Sequence, residues 1–239
     1  MTPDSREMTP AAPLALPLPI PRYLQDLYWW AYIHPRAVFL FEREWLVNLI
    51  LFGNYRRLRD ICLDELGTTI VGRTLQVACV YGNLTACLRQ RLAADATLDV
   101  VDVLPIQLAN LARKLAHDPC VALLQGDACE LPCTDGQYDQ VLLFFLLHEQ
   151  PEAVRRKTLA EAIRATRRGG RIVIVDYHHP APWHPLLPLL RLVLGRLEPY
   201  ALELWRSPIS AFLPAGAAPR LVRKSTRFGG LYQIVVITR

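Results

Sequence analysis

Short buried strands alternate with helices from Thr74 onward, and this alternation restricts the fold more than any other feature. The predicted strands are TLQVACV, TLDVVDV, VALLQGD, YDQVLLFFLL and RIVIVDYH, each followed or preceded by a helical segment. Such an order predicts a doubly wound parallel sheet with its ligand at the carboxyl ends of the strands. Gly169 and Gly170 are expected to close the helix before the fifth strand. The final stretch, STRFGGLYQIVVITR, predicts a C-terminal antiparallel hairpin.

Length and composition indicate one domain. The chain has 239 residues, of which 52% are hydrophobic, enough for the core of a single α/β domain. Residues 1–21 are rich in Pro and Ala and predict a flexible lead. We expect the domain at 22–239, with an N-terminal helical lid at 22–70 and an amphipathic insertion at 182–215. Six cysteines without a CxxC pair, and no recognisable signal peptide, favour a reducing, cytoplasmic compartment.

Two segments have the composition of helices that lie at a membrane surface. Residues 23–60 and 182–206 both mix Trp, Tyr and Leu with Arg. No apolar run approaches the ~20 residues that a spanning helix needs, and the net charge of +5 favours anionic headgroups. The alternative is that these helices simply pack on the sheet or cap a pocket. We expect peripheral association with the inner membrane, and no nucleic-acid-binding motif is recognisable.

The stretch LQVACVYGNLT reads like a glycine-rich nucleotide-binding turn in which most of the glycines have been replaced. Asp102 ends the second strand about twenty residues after Gly82, where such folds place an acid that accepts hydrogen bonds from ribose hydroxyls. Asp127 follows the third strand. Taken singly, Asp102 could cap the helix that starts at Pro105 and Asp127 could cap a turn. Their occurrence at successive strand ends favours a nucleoside site.

Five stretches in this order resemble the class I S-adenosylmethionine-dependent methyltransferases, especially those that act on ubiquinone and menaquinone: LQVACVYGNLT, VVDVLPIQL, LQGDACELPCTDGQYDQVLLFFLLHE, ATRRGGRIVIVDYHHP and FGGLYQIVVITR. The resemblance implies a class I methyltransferase-like Rossmann fold and S-adenosyl-L-methionine as co-substrate. More closely, YWWAYIHP, VACVYGNLT and DYHHP are similar to the rhodoquinone biosynthesis protein family. That likeness implies a ubiquinone substrate whose ring methoxy group is exchanged for an amino group. It also implies S-adenosylmethionine as the amino donor and a manganese ion, Mn2+.

The loop after the first strand departs from the methyltransferase pattern, which has an acid followed by Gly-x-Gly-x-Gly. This chain has Gln76, Ala78, Val80 and then Gly82. Val80 is β-branched and is expected to resist a positive φ. Losing the acid at Gln76 would ease deprotonation of the cofactor amine to a nucleophile. We expect the loop to bind S-adenosylmethionine with its methionine part in a new pose; a degenerate loop that binds nothing is the alternative.

The resemblance, carried over residue by residue, supplies the candidate site. The cofactor-binding candidates are Gln76, Ala78, Val80, Tyr81, Gly82, Asp102, Asp127 and Ala128. The catalytic candidates are Tyr81, His148 and Tyr177, with His148 also a possible general base. The candidate metal ligands are Glu149, Asp176, His178 and His179, since manganese prefers oxygen ligands with some imidazole. An acid followed by an aromatic residue is also common at this point in methyltransferases that need no metal.

Two further functions stay open at the level of sequence. A conventional S-adenosylmethionine-dependent quinone methyltransferase would share every motif except VACVYGN. A non-catalytic, membrane-associated scaffold for quinone synthesis would lack cofactor binding altogether. The retained acids, Asp102 and Asp127, count against the scaffold.

Overall fold

The structure is a computed structural model that describes residues 18–116, 118–215 and 221–239. Most of the predicted flexible lead, residues 1–17, therefore lies outside the described residues.

One seven-stranded sheet organises the described chain. Its strands are β1 (Arg73–Val77), β2 (Thr97–Asp102), β3 (Val121–Gln125), β4 (Tyr138–Phe144), β5 (Thr166–Tyr177), β6 (Leu221–Arg227) and β7 (Tyr232–Thr238). The spatial order is β3-β2-β1-β4-β5-β7-β6. Strands β1 to β5 pair in parallel, whereas β7 runs antiparallel to both β5 and β6. The predicted mostly parallel sheet and its C-terminal antiparallel pair are confirmed.

The helices precede the sheet, connect its strands or form the region before β6. They are α1 (Arg22–Leu27), α2 (Pro35–Phe41), α3 (Glu44–Ile50), α4 (Tyr55–Leu66), α5 (Leu84–Gln90), α6 (Pro105–Leu115), α7 (Glu152–Ala165), α8 (Leu187–Leu197) and α9 (Pro199–Leu204). A π-helical turn covers Trp29–Ile33, and 3-10 turns cover Leu147–Glu149 and Ile209–Phe212. Helices thus occupy the segments expected to form a lid and an insertion.

Apolar residues cover both faces of the sheet, as a parallel sheet between helices requires. Along β5, Val173 and Val175 face the core that contains α4, α5 and α8, while Ile172 and Ile174 face the core that contains α7. The strand order reverses between β1 and β4, so the connections leave in opposite directions there and open a crevice at the carboxyl ends of the strands.

The predicted end of α7 is wrong. The helix ends at Ala165, and β5 already begins at Thr166, so Gly169 and Gly170 lie within the strand. The pairing of β4 with β5 shifts register between Tyr138 and Gln140, which accommodates the irregularity. A Cβ on Gly170 would lie 2.8 Å from the carbonyl oxygen of Asp139, so this glycine allows close strand contact instead of ending a helix.

Candidate functional site

The loop after β1 obtains its shape from two residues with positive φ. Ala78 has a φ of 71° and Gly82 a φ of 85°, whereas Val80 is not among the residues with positive φ. Val80 thus avoids a positive φ, as expected of a β-branched residue, and Ala78 adopts the strained conformation instead. The Ala78 amide donates to the carbonyl of Val101 at 2.8 Å, which fastens the strained residue to β2.

Gln76 is fully buried and is used to hold this loop. Its side-chain Nε2 donates to the carbonyl of Ala78 at 3.0 Å, and its Oε1 accepts from the Thr85 hydroxyl at 3.0 Å. The amide carries no charge, so it can fix the loop without becoming an ion pair. Its hydrogen bonds join the end of β1 to the start of α5.

Tyr55 supports the same loop from α4, and sequence reasoning missed it. Its hydroxyl accepts from the amides of Asn83 and Leu84 at 2.8 and 3.0 Å, which satisfies donors at the start of α5. A Cβ on Gly82 would lie 2.5 Å from the Tyr55 oxygen, so only glycine leaves room for this contact. The sequence signal was faint, since Tyr55 is one of many aromatic residues in the N-terminal helices.

Two of the predicted cofactor acids lie at neighbouring strand ends. Asp102 accepts from the Cys79 amide at 2.7 Å with Oδ2 and from the Leu104 amide at 2.8 Å with Oδ1. Burial raises the pKa of Asp102 to about 6, against the opposing effect of these two hydrogen bonds. Asp127 accepts from the Cys129 amide at 2.8 Å. Asp127 forms the local turn expected from its alternative role, whereas Asp102 binds the Leu104 amide and does not cap α6; both acids line the same cavity.

Tyr81 links the loop to the N-terminal helices. Its hydroxyl donates to the carbonyl of Ala31 at 2.7 Å and accepts from Gln107 Nε2 at 2.9 Å. Its ring stacks on Phe41 with the centroids 5.9 Å apart, and burial raises its pKa. These contacts place the phenol between the N-terminal helices and the loop.

His148 and Asp176 meet at the ends of β4 and β5. Nδ1 of His148 lies 2.9 Å from Asp176 Oδ1, and its Nε2 lies 3.5 Å from Glu198 and 3.8 Å from Glu149. Burial lowers the pKa of His148, but the Asp176 carboxylate and its hydrogen bond, followed by Glu198 and Glu149, raise it to about 9. Burial raises the pKa of Glu198, partly offset by His148. Tyr177 packs edge-on against the imidazole at 4.9 Å.

Glu198 is a second residue that sequence reasoning missed. It lies between α8 and α9, and it is the one acid in the stretch PWHPLLPLLRLVLGRLEPY. An acid next to so many apolar residues was the available signal, although nothing in the sequence places it 50 residues away, beside His148. The region of α8 and α9 thus contributes a carboxyl group to the site as well as apolar surface.

The predicted metal ligands do not converge. His178 donates from Nδ1 to the carbonyl of Gly230 and accepts from Lys224 with Nε2, both at 2.8 Å. His179 instead packs edge-on against Trp205, while Asp176 holds His148 and the Leu147 amide. Within the part of the chain that the structure describes, no group of three or more His, Cys, Asp or Glu is arranged to hold a metal ion. The predicted manganese site is therefore not supported.

A cavity of about 670 Å³ joins these elements. At one end it is lined by the loop after β1 together with Asp102, Asp127 and Ala128, and His148, Tyr177 and Glu198 line it further along. Apolar side chains of α3 and α8 complete the wall. Among residues 18–116, 118–215 and 221–239, no helix combines the length and the apolar character needed to cross a bilayer.

Residues 74–170 match the family profile of a methyltransferase domain. A demethylmenaquinone methyltransferase of Renibacterium salmoninarum is 33% identical over 133 residues, 56% of this chain and 53% of that protein. One from Beutenbergia cavernae is 32% identical over 165 residues, 64% of this chain and 65% of that protein. The chain thus spans about half to two thirds of these relatives. An uncharacterized methyltransferase of Synechocystis is 28% identical over 86% of this chain and 92% of that protein.

Solved structures share the fold at low sequence identity. A SAM-dependent methyltransferase from Aquifex aeolicus superposes with a TM-score of 0.52 at 16% identity, covering 85% of this chain and 97% of that one. The N-methyltransferase NodS from Bradyrhizobium japonicum superposes with a TM-score of 0.54 at 12% identity, covering 76% and 94%. The narrower likeness to rhodoquinone biosynthesis proteins is not confirmed by these matches. Residues 74–170 are thus similar to a methyltransferase domain, and the described chain has the mixed α/β Rossmann-like fold of methyltransferases.

Proposed function

We propose that this chain transfers the methyl group of S-adenosylmethionine to the ring of a quinone-type substrate with an apolar tail. The observation that carries the proposal is the cavity, which runs from two strand-end carboxylates past a buried histidine to an apolar wall. The relatives named demethylmenaquinone methyltransferase support a quinone ring as acceptor. The apolar wall suits an isoprenoid tail, because it removes hydrocarbon from water.

The chain's own residues fit the co-substrate. Each Asp102 oxygen accepts one amide and keeps a lone pair for a ribose hydroxyl. Asp127 and Ala128 would contact the adenine, and the loop from Ala78 to Gly82, held by Gln76, would contact the methionine part. When bound, the co-substrate supplies an electrophilic methyl group on sulfur. Tyr81 is assigned a positioning role, because its hydroxyl joins the loop to the lid.

His148 is the proposed base for the acceptor. Asp176 fixes the Nδ1–H, so that Nε2 is the nitrogen left to take a proton from a ring hydroxyl of the reduced quinone. Removal of that proton increases electron density on a ring carbon, which takes the methyl group as the sulfur–methyl bond breaks and S-adenosylhomocysteine is left. The ring carbon then loses its own proton to water, and the protonated His148 returns a proton to the ring oxygen, which restores the aromatic quinol. Tyr177 packs against the imidazole and holds its plane.

Replacement of a ring methoxy group by an amino group is the second candidate, and the loop is the observation that favours it. Gln76 is neutral and already bonded to Ala78 and Thr85, so this position offers no carboxylate to an ammonium group. A cofactor amine without that partner would lose its proton more readily and become a nucleophile. Ubiquinone is the substrate under this candidate.

The two candidates are separated by doubly labelled S-adenosylmethionine, with deuterium in the methyl group and heavy nitrogen in the amine. Purified protein is incubated with short-chain demethylmenaquinol or ubiquinone, with and without manganese, and the quinones are analysed by mass spectrometry. The proposal predicts a deuterated methyl group on the menaquinol. Heavy nitrogen in the ubiquinone product would instead contradict methyl transfer and support the aminating reaction. No transfer, together with no heat of co-substrate binding, would reject both in favour of a scaffold.

A further inference from the structure

The wall of the cavity continues onto the outside of the protein. Six side chains both line the cavity and are at least 40% exposed to solvent: Leu40, Leu49, Ile50, Leu189, Val193 and Leu197. The first three belong to α2 and α3, and the last three belong to α8, about 140 residues later in the chain. Two distant helical segments therefore surround one mouth with apolar side chains.

Neighbouring side chains extend this surface. Phe39, Trp45 and Leu192 are 60–70% exposed. Trp45 stands four residues before Leu49 and Leu192 three residues after Leu189, so each lies beside a member of the mouth on its own helix. These three and the six mouth residues together form the apolar face. Contiguous exposed apolar surface of this kind marks an interaction site, whereas single exposed residues do not.

The charges beside the apolar face are basic. Residues 178–197 contain no acid, and Arg191 and Arg196 are exposed on α8. On the other segment, Arg36 and Arg43 are exposed. The two acids there are paired, Glu42 with Lys114 and Glu44 with Arg56. This distribution complements an anionic surface. A second copy of the chain would bring the same arginines together, which opposes self-association through this face.

We propose that the apolar face docks on an anionic lipid bilayer and that the cavity mouth opens into its hydrocarbon layer. The ring of the substrate reaches His148 while its tail remains in the lipid. The docking is inferred from the exposed apolar side chains and the neighbouring arginines alone. The path of the substrate tail, in addition, rests on the proposed function. Arginine stems lie along the apolar surface with their guanidinium groups at the headgroups.

Vesicle co-sedimentation of the full chain tests the docking. Vesicles of phosphatidylcholine alone are compared with an equal mixture of phosphatidylcholine and phosphatidylglycerol. We expect the wild type to bind the mixed vesicles and the double variant Trp45→Glu/Leu192→Glu to bind at least ten times more weakly. Val71→Glu is the matched control, because Val71 is 60% exposed but lies just before β1, away from the mouth. Each of Arg191→Gln and Arg196→Gln should weaken binding to the mixed vesicles roughly fivefold.

Two results would overturn the docking. One is equal binding of the wild type and the double variant to the mixed vesicles. The other is a wild type that ignores vesicles yet forms a dimer in size-exclusion chromatography that the double variant lacks, which would assign the face to a second copy.

Activity assays keep this proposal separate from the proposed function. Trp45 and Leu192 do not line the cavity, so the double variant should act normally on a short-chain, water-soluble quinone and poorly on a long-tailed quinone in mixed vesicles. Equal loss on both substrates would contradict the path of the tail. Absence of transfer to the short-chain quinone by the wild type would reject the proposed function and leave the vesicle result standing.

Discussion

At the residue scale, the loop after β1 keeps its shape with a different set of contacts from the glycine-rich pattern. Ala78 adopts the positive φ that glycine adopts freely, and the Val101 carbonyl and the Gln76 side chain hold it there. In this loop, one backbone carbonyl and one side-chain amide hold a conformation that the pattern GxGxG would reach through glycine. Sequence identified the altered positions but not which one bears the strain, because that depends on contacts with β2.

Ala78→Gly should stabilise the protein by about 0.5–1 kcal/mol. Glycine has no Cβ penalty at this φ, and the relief of that penalty exceeds the extra backbone entropy that glycine loses on folding. The free energy of unfolding in urea measures the effect. Ala162→Gly is the matched control: Ala162 is buried within α7, and glycine there should cost about 1 kcal/mol. A loss of stability in Ala78→Gly would show that the loop is not strained at this residue.

Asp102 should make co-substrate affinity depend on pH. Its carboxylate becomes ionised as pH rises through about 6, and only the ionised form offers both oxygens to ribose hydroxyls and backbone amides. Calorimetry should therefore show affinity falling below pH 6. Asp102→Asn should abolish this dependence and weaken binding throughout. Unchanged affinity in the variant would remove Asp102 from the cofactor site.

The Asp102 carboxyl group should affect folding stability in the opposite direction from co-substrate affinity as pH rises. The folded pKa of Asp102 is raised above its unfolded value, so its contribution to stability is complete below about pH 4 and is lost as pH rises through about 6. We expect this in the protein without co-substrate: the unfolding free energy of the wild type minus that of Asp102→Asn should fall as pH rises from about 4 through about 6. If the wild-type value minus the variant value instead rises with pH over this range, the raised pKa of Asp102 is contradicted.

At the scale of elements, the ends of β4 and β5 bring together residues 28 positions apart. Alternating strands and helices predicted this sheet edge correctly, because period and strand length are local properties of the chain. They could not show that Asp176 turns toward His148 while His178 and His179 turn away. Those directions depend on Gly230, Lys224 and Trp205, which belong to other elements.

His148 should govern the pH dependence of turnover. Because the imidazole must be neutral to accept a proton and its pKa is raised to about 9, kcat should increase with pH up to that value. Asp176→Asn should shift the rising limb to lower pH and reduce the maximum. His148→Gln should reduce kcat by about 10²–10⁴-fold, while His178→Gln should leave it unchanged. A comparable loss in His178→Gln would restore a role for the predicted metal ligands.

The turn that carries His148 is braced by Arg155, a fully buried residue of α7. Its Nε donates to the carbonyl of Leu147 at 3.0 Å, and Nη2 donates to Gln150 at 2.8 Å and Tyr200 at 3.2 Å. Lysine cannot reproduce this planar set of donors. Arg155→Lys should therefore lower the free energy of unfolding by about 3 kcal/mol.

Arg156→Lys is the matched control for that substitution. Arg156 is half-exposed and forms an i,i+4 pair with Glu152, so the change should stay below about 1 kcal/mol. Equal effects of the two substitutions in urea unfolding would show that Arg155 does not brace the turn.

At the scale of the whole molecule, the N-terminal helices and the region before β6 lie over one end of the methyltransferase-like sheet. Apolar composition predicted both segments, since Trp, Leu and Arg are interspersed there. It could not show that they share a cavity or that Glu198 enters it, because these depend on packing across the sheet. The membrane contact stays a prediction, and the apolar face names the residues that would make it.

The central claim is that one cavity holds the co-substrate and the quinone ring together. A crystal structure with S-adenosylhomocysteine and a short-chain menaquinone tests it most directly. We predict ribose hydroxyls against Asp102, adenine beside Asp127 and Ala128, and the quinone ring within hydrogen-bonding distance of His148. A nucleoside bound elsewhere, or a ring separated from His148 by the apolar wall, would contradict the account.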